Sequence, residues 1–283
     1  MILKDRISII TGGSGGIGKA IGRAFAKEGC HLVLSSRTQA DLQAAKRDIE
    51  ESSRARVEIF SADVSKPQET EKLVDFTLTK FGNIDILVNC AGVQAPIGFI
   101  TDIDSRVWIE NININLCGTF LSIKAVLPTM MKNRRGKIIN RSGGGSVTPR
   151  PRFSAYSASK AGVVRLTETL AEEVKEYNID INAIAPGAVN TRLLDEVLAL
   201  GEAAGKAEMA KAIKQKGEGG TPLPMVAEFA LFLASSQTDG LTGRLVSLPW
   251  DHWREIPQRL NEIMSSDVYT VRRIIPKDRG YDW

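Results

Sequence analysis

The chain has 283 residues, 43% of them hydrophobic and 25% charged, enough apolar material for one large α/β domain or two small ones. Its 37 basic and 33 acidic residues leave a net charge of +4 and are spread along the sequence, which excludes a nucleic-acid or membrane-binding stripe. Three cysteines, Cys30, Cys90 and Cys117, have an odd count and no metal-ligand spacing, which excludes a disulfide framework, gives no metal site and points to a cytoplasmic protein. No apolar run reaches transmembrane length, and residues 1–10 enter a strand pattern directly, so neither a span nor a leader is expected.

Residues 6–10 predict a short buried strand. The turn Thr11-Gly12-Gly13-Ser14-Gly15-Gly16-Ile17-Gly18 follows and enters a helical stretch from Lys19 to Glu28. Strand, glycine turn and helix is the context a dinucleotide requires. Glycines let the backbone approach a pyrophosphate, and the helix start offers free N–H groups. A turn that merely packs helix on strand is the plainer alternative, and the glycine-dense spacing favours phosphate. His31–Ser36 is the second strand, closed by Arg37. A carboxylate here would bond the ribose 2′-OH of NAD, whereas an arginine suits the 2′-phosphate of NADP, so Ser36 and Arg37 favour NADP(H) over NAD(H).

Thr38–Ser53 places Leu42, Ala45 and Ile49 on one helix face. Val57–Phe60 is a third strand, followed by Asp63 and Val64. Pro67 opens a helix ending near Phe81, and Ile84–Val88 is a fourth strand leading to Asn89, Cys90, Ala91 and Gly92. This alternation gives an α/β fold, a Rossmann-type doubly wound sheet of about seven parallel strands covered on both faces. Ligands bind at the carboxyl ends of such strands, so Gly12–Gly18, Arg37, Asp63 and Asn89–Gly92 should share one crevice.

Asp104–Asn133 is a long helical region interrupted around Asn111–Gly118, and Gly136–Arg141 is a fifth strand. A glycine-rich turn from Ser142 to Ser146 and a basic loop with Arg150 and Arg152 precede a helix running to about Tyr177. That helix carries Tyr156 and Lys160 four apart, hence on one face. A free phenol has a pKa of about 10, and an ammonium one turn away favours its phenolate, which suits proton exchange with an alcohol or carbonyl oxygen. Tyr and Lys at this spacing also occur on ordinary solvated helices, so the pair gains weight only beside the other motifs. Ile179–Ala185 is a sixth strand ending in Pro186, Gly187, Val189 and Thr191. Arg192–Gly220 reads as a pair of mobile helices, Met225–Ser235 as another helix and Arg244–Leu248 as a seventh strand.

With these pieces in order, the chain resembles the short-chain dehydrogenase/reductase family in its single-domain branch, from about residue 4 to about 248. The matching motifs are Thr11-Gly12-x-x-x-Gly16-x-Gly18, Asn89-x-Ala91-Gly92, Tyr156-x-x-x-Lys160 and Pro186-Gly187, with Asp63 and Asn115. The resemblance implies an NAD(P)-dependent oxidoreductase acting on CH–OH groups. Tyr156 would be the proton donor or acceptor. Lys160 would bond the nicotinamide ribose, and Asn115 would hold a water in the proton relay. Gly12, Ser14, Gly15, Gly16, Ile17 and Gly18 would hold the pyrophosphate, Asp63 and Val64 the adenine, Asn89, Ala91 and Gly92 the adenine ribose side. Val189 and Thr191 would hold the carboxamide, with Pro186 and Gly187 also among the cofactor-binding residues.

Two departures stand out. The family usually has a serine thirteen residues before the tyrosine, where this chain has Gly143. Ser142 is the candidate replacement, or the backbone N–H groups of Gly143–Gly145, or the site is weakened. The second is the extension 249–283 beyond the domain 1–248, in which an amphipathic helix is expected to about Met264. Trp250 and Trp253 are expected to be covered by this subunit or a partner, and Arg272 and Arg273 either pack there or help to charge the substrate pocket. Arg150–Arg152 hint at an anionic substrate. The apolar residues Val126, Leu127, Met130, Val163, Val164, Leu166 and Leu170 on two long helices, with the resemblance, imply a homodimer or homotetramer. A sugar-nucleotide epimerase or dehydratase, and a cofactor-binding regulatory protein with lost turnover, are the competing readings.

Overall fold

A computed structural model describes all 283 residues. Seven parallel strands form one sheet: β1 (Ile7–Thr11), β2 (His31–Ser36), β3 (Val57–Ser61), β4 (Ile86–Asn89), β5 (Gly136–Arg141), β6 (Ile179–Ala185) and β7 (Leu245–Ser247). Their order is β3-β2-β1-β4-β5-β6-β7. The direction of winding reverses between β1 and β4, which opens a crevice at their carboxyl ends. Register pairs Thr11 with Asn89 and Asn89 with Asn140, so Gly12, Cys90 and Arg141 leave the sheet side by side.

The connecting helices are α1 (Gly16–Lys27), α2 (Gln39–Glu50), α3 (Pro67–Phe81), α4 (Ser105–Ile112), α5 (Gly118–Asn133) and α6 (Ser154–Glu173). They continue with α7 (Arg192–Leu200), α8 (Lys206–Glu218), α9 (Leu223–Ala234) and the short α10 (Leu260–Met264). Strand side chains alternate between two cores. Ile10, Leu34, Val88, Ile139 and Ile184 face α1, α2 and α9. Ile9, Val33, Leu87, Ile138 and Ile181 face α3, α5 and α6. Burial on both faces is why these strands read as near-continuous apolar runs.

Three boundaries differ from expectation for local reasons. Helix α1 opens at Gly16, not Lys19, because its first turn packs onto the glycine turn; a Cβ on Gly18 would overlap the Gly12 carbonyl. The interruption at 111–118 is a π turn, Asn113–Cys117, which joins α4 to α5 as one 29-residue helical run. That run is long and apolar enough to cross a membrane, against the sequence expectation. Within this fold it is a core helix, with Asn111 and Asn115 fully buried and Ile123, Val126 and Met130 in the second core. The helix expected up to Met264 begins as a 3₁₀ segment, Trp253–Arg259, because Pro257 has no N–H for an α ladder.

Beyond β7, Trp253 is buried against Phe229 and Phe232 of α9, with ring centroids 5.1 Å from each. Trp250 is not covered by its own chain and stands 84% exposed. The Val271 N–H donates to Glu168 at 2.7 Å, and the Leu245 N–H to the Tyr269 carbonyl at 2.8 Å. Arg272 pairs with Asp267 and Asp278. Glu168 lies about three turns along α6 from Tyr156, so this placement holds Arg272 and Arg273 away from the crevice of their own chain. The apolar residues expected to face a partner are mostly taken up at home. Val126, Met130, Val163 and Val164 are buried and Leu127, Leu166 and Leu170 half-buried.

Candidate active site

The crevice has a volume of about 330 Å³. Helix α1 starts after Gly15 with no side-chain cap and no acid in its first turn, so its N–H groups stay free for an anion. No atom lies within 4 Å of where a Cβ on Gly15 would stand, which leaves room for a phosphate. Gly12 holds φ at +65° and lies so near Ala91 that a Cβ would come within 2.7 Å of its nitrogen. These features fit a dinucleotide.

Gly12, Ser14, Gly15, Gly16, Ile17, Gly18, Ser36, Arg37, Asp63, Val64, Ala91, Gly92 and Thr191 all line this crevice. Burial pushes the Asp63 carboxyl up, but the Ser65 hydroxyl and N–H, at 2.7 and 2.9 Å, and the Arg37 cation hold it below the usual carboxylate range. Asn89 does not reach the crevice; it is buried in the sheet, donating to Asn140 at 2.9 Å. Pro186, Gly187 and Val189 stand outside the lining. Gly187, at φ +80°, packs against Thr221 and Pro249, and Val189 against the first core. Asp41 and Arg141 line the crevice and were missed. Asp41 sits in the first turn of α2 after Arg37, and Arg141 ends a strand at its carboxyl end, so position alone could have flagged both.

Tyr156 and Lys160 lie on one face of α6, with Nζ 5.7 Å from the tyrosine ring centroid. Tyr156 is 5% exposed and Lys160 1%. Lys160 Nζ donates to the Arg141 carbonyl at 2.9 Å. Burial pulls the Lys160 ammonium well below the usual lysine range, and the Arg141 cation adds to the effect. The Cys90 thiol beside them is pushed up to about 11 by burial. Asn115 is engaged by protein groups. Its Oδ1 accepts from the Val93 N–H at 2.9 Å, and its Nδ2 is within bonding distance of the Val93 carbonyl, Asn111 and Ser159. The side chain thus clamps the loop after β4 onto α6.

Gly143 lies against the tyrosine. A Cβ there would overlap the Tyr156 hydroxyl. Ser142 Oγ is buried without a partner, and the Ser142 N–H is held by the Ile184 carbonyl at 2.8 Å. The N–H groups of Gly143, Gly144 and Gly145 donate to no protein acceptor, and Gly144 has open space on its Cβ side.

Helices α7 and α8 close over this region. Leu194, Val197, Ala204 and Ala212 pack with Phe153 and Tyr156 in a third apolar cluster. Arg150 stacks 3.7 Å from the centroid of Phe153 and pairs with Glu208 of α8. Arg152 donates to the Ala203 carbonyl at 3.2 Å. The two loop arginines that suggested an anionic substrate are therefore engaged in holding these helices down.

The sequence model of the short chain dehydrogenase family matches residues 6–199. The chain belongs to the short-chain dehydrogenase/reductase family. It is 37% identical over 244 residues to 3beta-hydroxysteroid dehydrogenase 1 of Eggerthella lenta, covering 85% of this chain and 91% of that one. Among solved structures it resembles an NAD⁺-bound xylitol dehydrogenase, with TM-score 0.82, 26% identity and 87% and 98% of the two chains covered. It also resembles an actinorhodin polyketide ketoreductase with NADPH, with TM-score 0.80, 26% identity and 86% and 95% covered. The enzyme is accordingly an NAD(P)-dependent dehydrogenase/reductase of alcohol or ketone groups.

Proposed function

We propose that this enzyme exchanges a hydride between NADP(H) and a secondary alcohol or ketone, with Tyr156 moving the proton on the substrate oxygen. The observation that carries the reading is the Tyr156–Lys160 pair, buried on one helix face beside the crevice. When bound, the nicotinamide supplies or accepts the hydride. The chain's own groups do the rest. In reduction, Tyr156 Oη donates its proton to the carbonyl oxygen; in oxidation, the phenolate takes it back. Lys160, fixed on the Arg141 carbonyl, holds its Nζ 5.7 Å from the ring centroid, where its protonated form favours the phenolate. We assign the bond that polarises the substrate oxygen to the N–H groups of Gly143–Gly145, not to Ser142, whose Oγ has no accessible surface. Closure of α7 and α8 excludes water from the reacting atoms.

The preference for NADP(H) rests on Ser36 and Arg37 where NAD enzymes need an acid, although Asp41 lines the same end of the crevice. Its relatives carry either dinucleotide. A steroid, a polyol and a polyketide appear in their names, so the substrate is assigned as a class only. Three free thiols support a cytoplasmic setting, and exposed Ile109 and Phe120 on the α4–α5 run support a homodimer or homotetramer. Tyr156→Phe should lower turnover across a panel of carbonyl compounds by about 10²–10⁴-fold while NADPH affinity stays within a few-fold. Equal turnover would overturn the assignment. The second reading, a cofactor-binding protein with weakened turnover, is favoured by the Gly143 and Ser142 geometry alone. Tight NADPH binding with no oxidation by any compound of the panel would select it.

A further inference from the structure

Arg141 ends β5 and has no side-chain part in the proton transfer described above. Its side chain leaves the sheet on the face of Ile139, and its Nη2 lies 2.7 Å from the point where a Cβ on Gly92 would stand. Since β4 separates β5 from β1, the guanidinium reaches across the end of β4 toward the glycine turn. The residue is 8% exposed, and its Nε–H finds no acceptor in the chain. What surface remains forms the crevice wall with Gly12, Gly92 and Thr191.

An arginine keeps its charge at any working pH, and a buried guanidinium without a counter-charge is costly. The strand end gathers a second basic group rather than an acid, because Lys160 Nζ sits on the Arg141 carbonyl at 2.9 Å. The opposite wall has the complementary gap. Residues 11–18 contain no Lys or Arg, and the first lysine of α1, Lys19, is paired with Asp48 at 2.8 Å. A phosphate at the start of α1 would therefore meet N–H groups on one side and the bare Arg141 fork on the other.

We propose that Arg141 is an oxyanion-binding residue of the crevice, and that its ligand is a phosphate of the bound dinucleotide, held between the guanidinium and the start of α1. The inference rests on the dinucleotide reading above. A carboxylate on the substrate presents the same chemistry, and the experiment separates the two.

The full chain and R141M are titrated calorimetrically with NADPH and with 2′-phospho-ADP-ribose, which keeps the pyrophosphate and lacks the nicotinamide. A charge-assisted bond corresponds to a weakening of about 10–100-fold in R141M, expected for both ligands and smaller in R141K, which keeps the charge and loses the fork. The unliganded R141M chain should melt no lower than wild type, since an unpaired buried charge is removed. Weakening of NADPH alone overturns the phosphate assignment. Unchanged affinity for both ligands overturns the proposal, since no dinucleotide phosphate then sits on Arg141. A wild-type chain that binds neither ligand overturns the NADP(H) reading, a result distinct from equal binding by wild type and variant, and NADH with ADP-ribose then takes the place of the two probes.

Discussion

At the residue scale, the substitution at position 143 decides how this active site is built. The family's serine would place a Cβ where the Tyr156 hydroxyl already lies, so the glycine lets the turn close directly onto the tyrosine. Restoring the family residue should therefore do harm. Gly143→Ser is expected to lower kcat by at least about tenfold with NADPH affinity unchanged, because the added atoms displace either the hydroxyl or the loop. Stopped-flow turnover beside a cofactor titration checks this, and a gain in turnover would show that a hydroxyl, not the backbone, is what the site lacks. The neighbouring Ser142 shows how little a side chain's identity says without its direction. One position from the family's serine, its oxygen is sealed in the interior.

At the scale of elements, the least patterned stretch of the sequence forms a cover with a defined fastening. Helices α7 and α8 are held over Tyr156 by apolar contacts and by Arg150, which stacks on Phe153 and pairs with Glu208 across the seam. Both partners of this pair are about four-fifths covered, with side-chain exposures of 20% and 19%, so breaking it leaves a largely covered cation without its charge partner. Glu208→Gln should make local opening of 192–218 easier by roughly tenfold. Limited proteolysis is the measurement, and an unchanged cleavage rate in this segment would remove the ion pair from the fastening. The same element leaves Tyr156 only 5% exposed.

At the scale of the whole molecule, the extension beyond β7 is tied to the domain by one aromatic anchor. Trp253 fills a site against Phe229 and Phe232, and its removal to alanine should cost about 3–5 kcal/mol in a urea unfolding experiment. Trp250, almost wholly exposed, should change stability by less than about 0.5 kcal/mol on the same substitution. Similar losses for the two variants would show that the extension holds Trp250 in a second contact, for which a partner subunit is the natural source.

The sequence by itself determined the sheet, the order of its elements and the edge of the sheet at which the crevice opens. Those features follow from local periodicity, from glycine spacing and from the rule that a parallel sheet offers its carboxyl ends. Gly12, Ser14–Gly18, Ser36, Arg37, Asp63, Ala91, Gly92 and Thr191 line one crevice at the carboxyl ends of the strands, where their positions placed them. Tertiary structure alone decided which side chains are free to act. Arg150 and Arg152 looked like a substrate-facing cation pair and are fastened to the cover, while Arg141, unremarked at the end of an apolar strand, carries an unsatisfied charge in the crevice. Asn89 fits the motif yet bonds within the sheet. Periodicity fixes which face of a strand or helix a residue occupies. Its partners come from segments far along the chain, and whether a charge is satisfied is settled only when those segments pack.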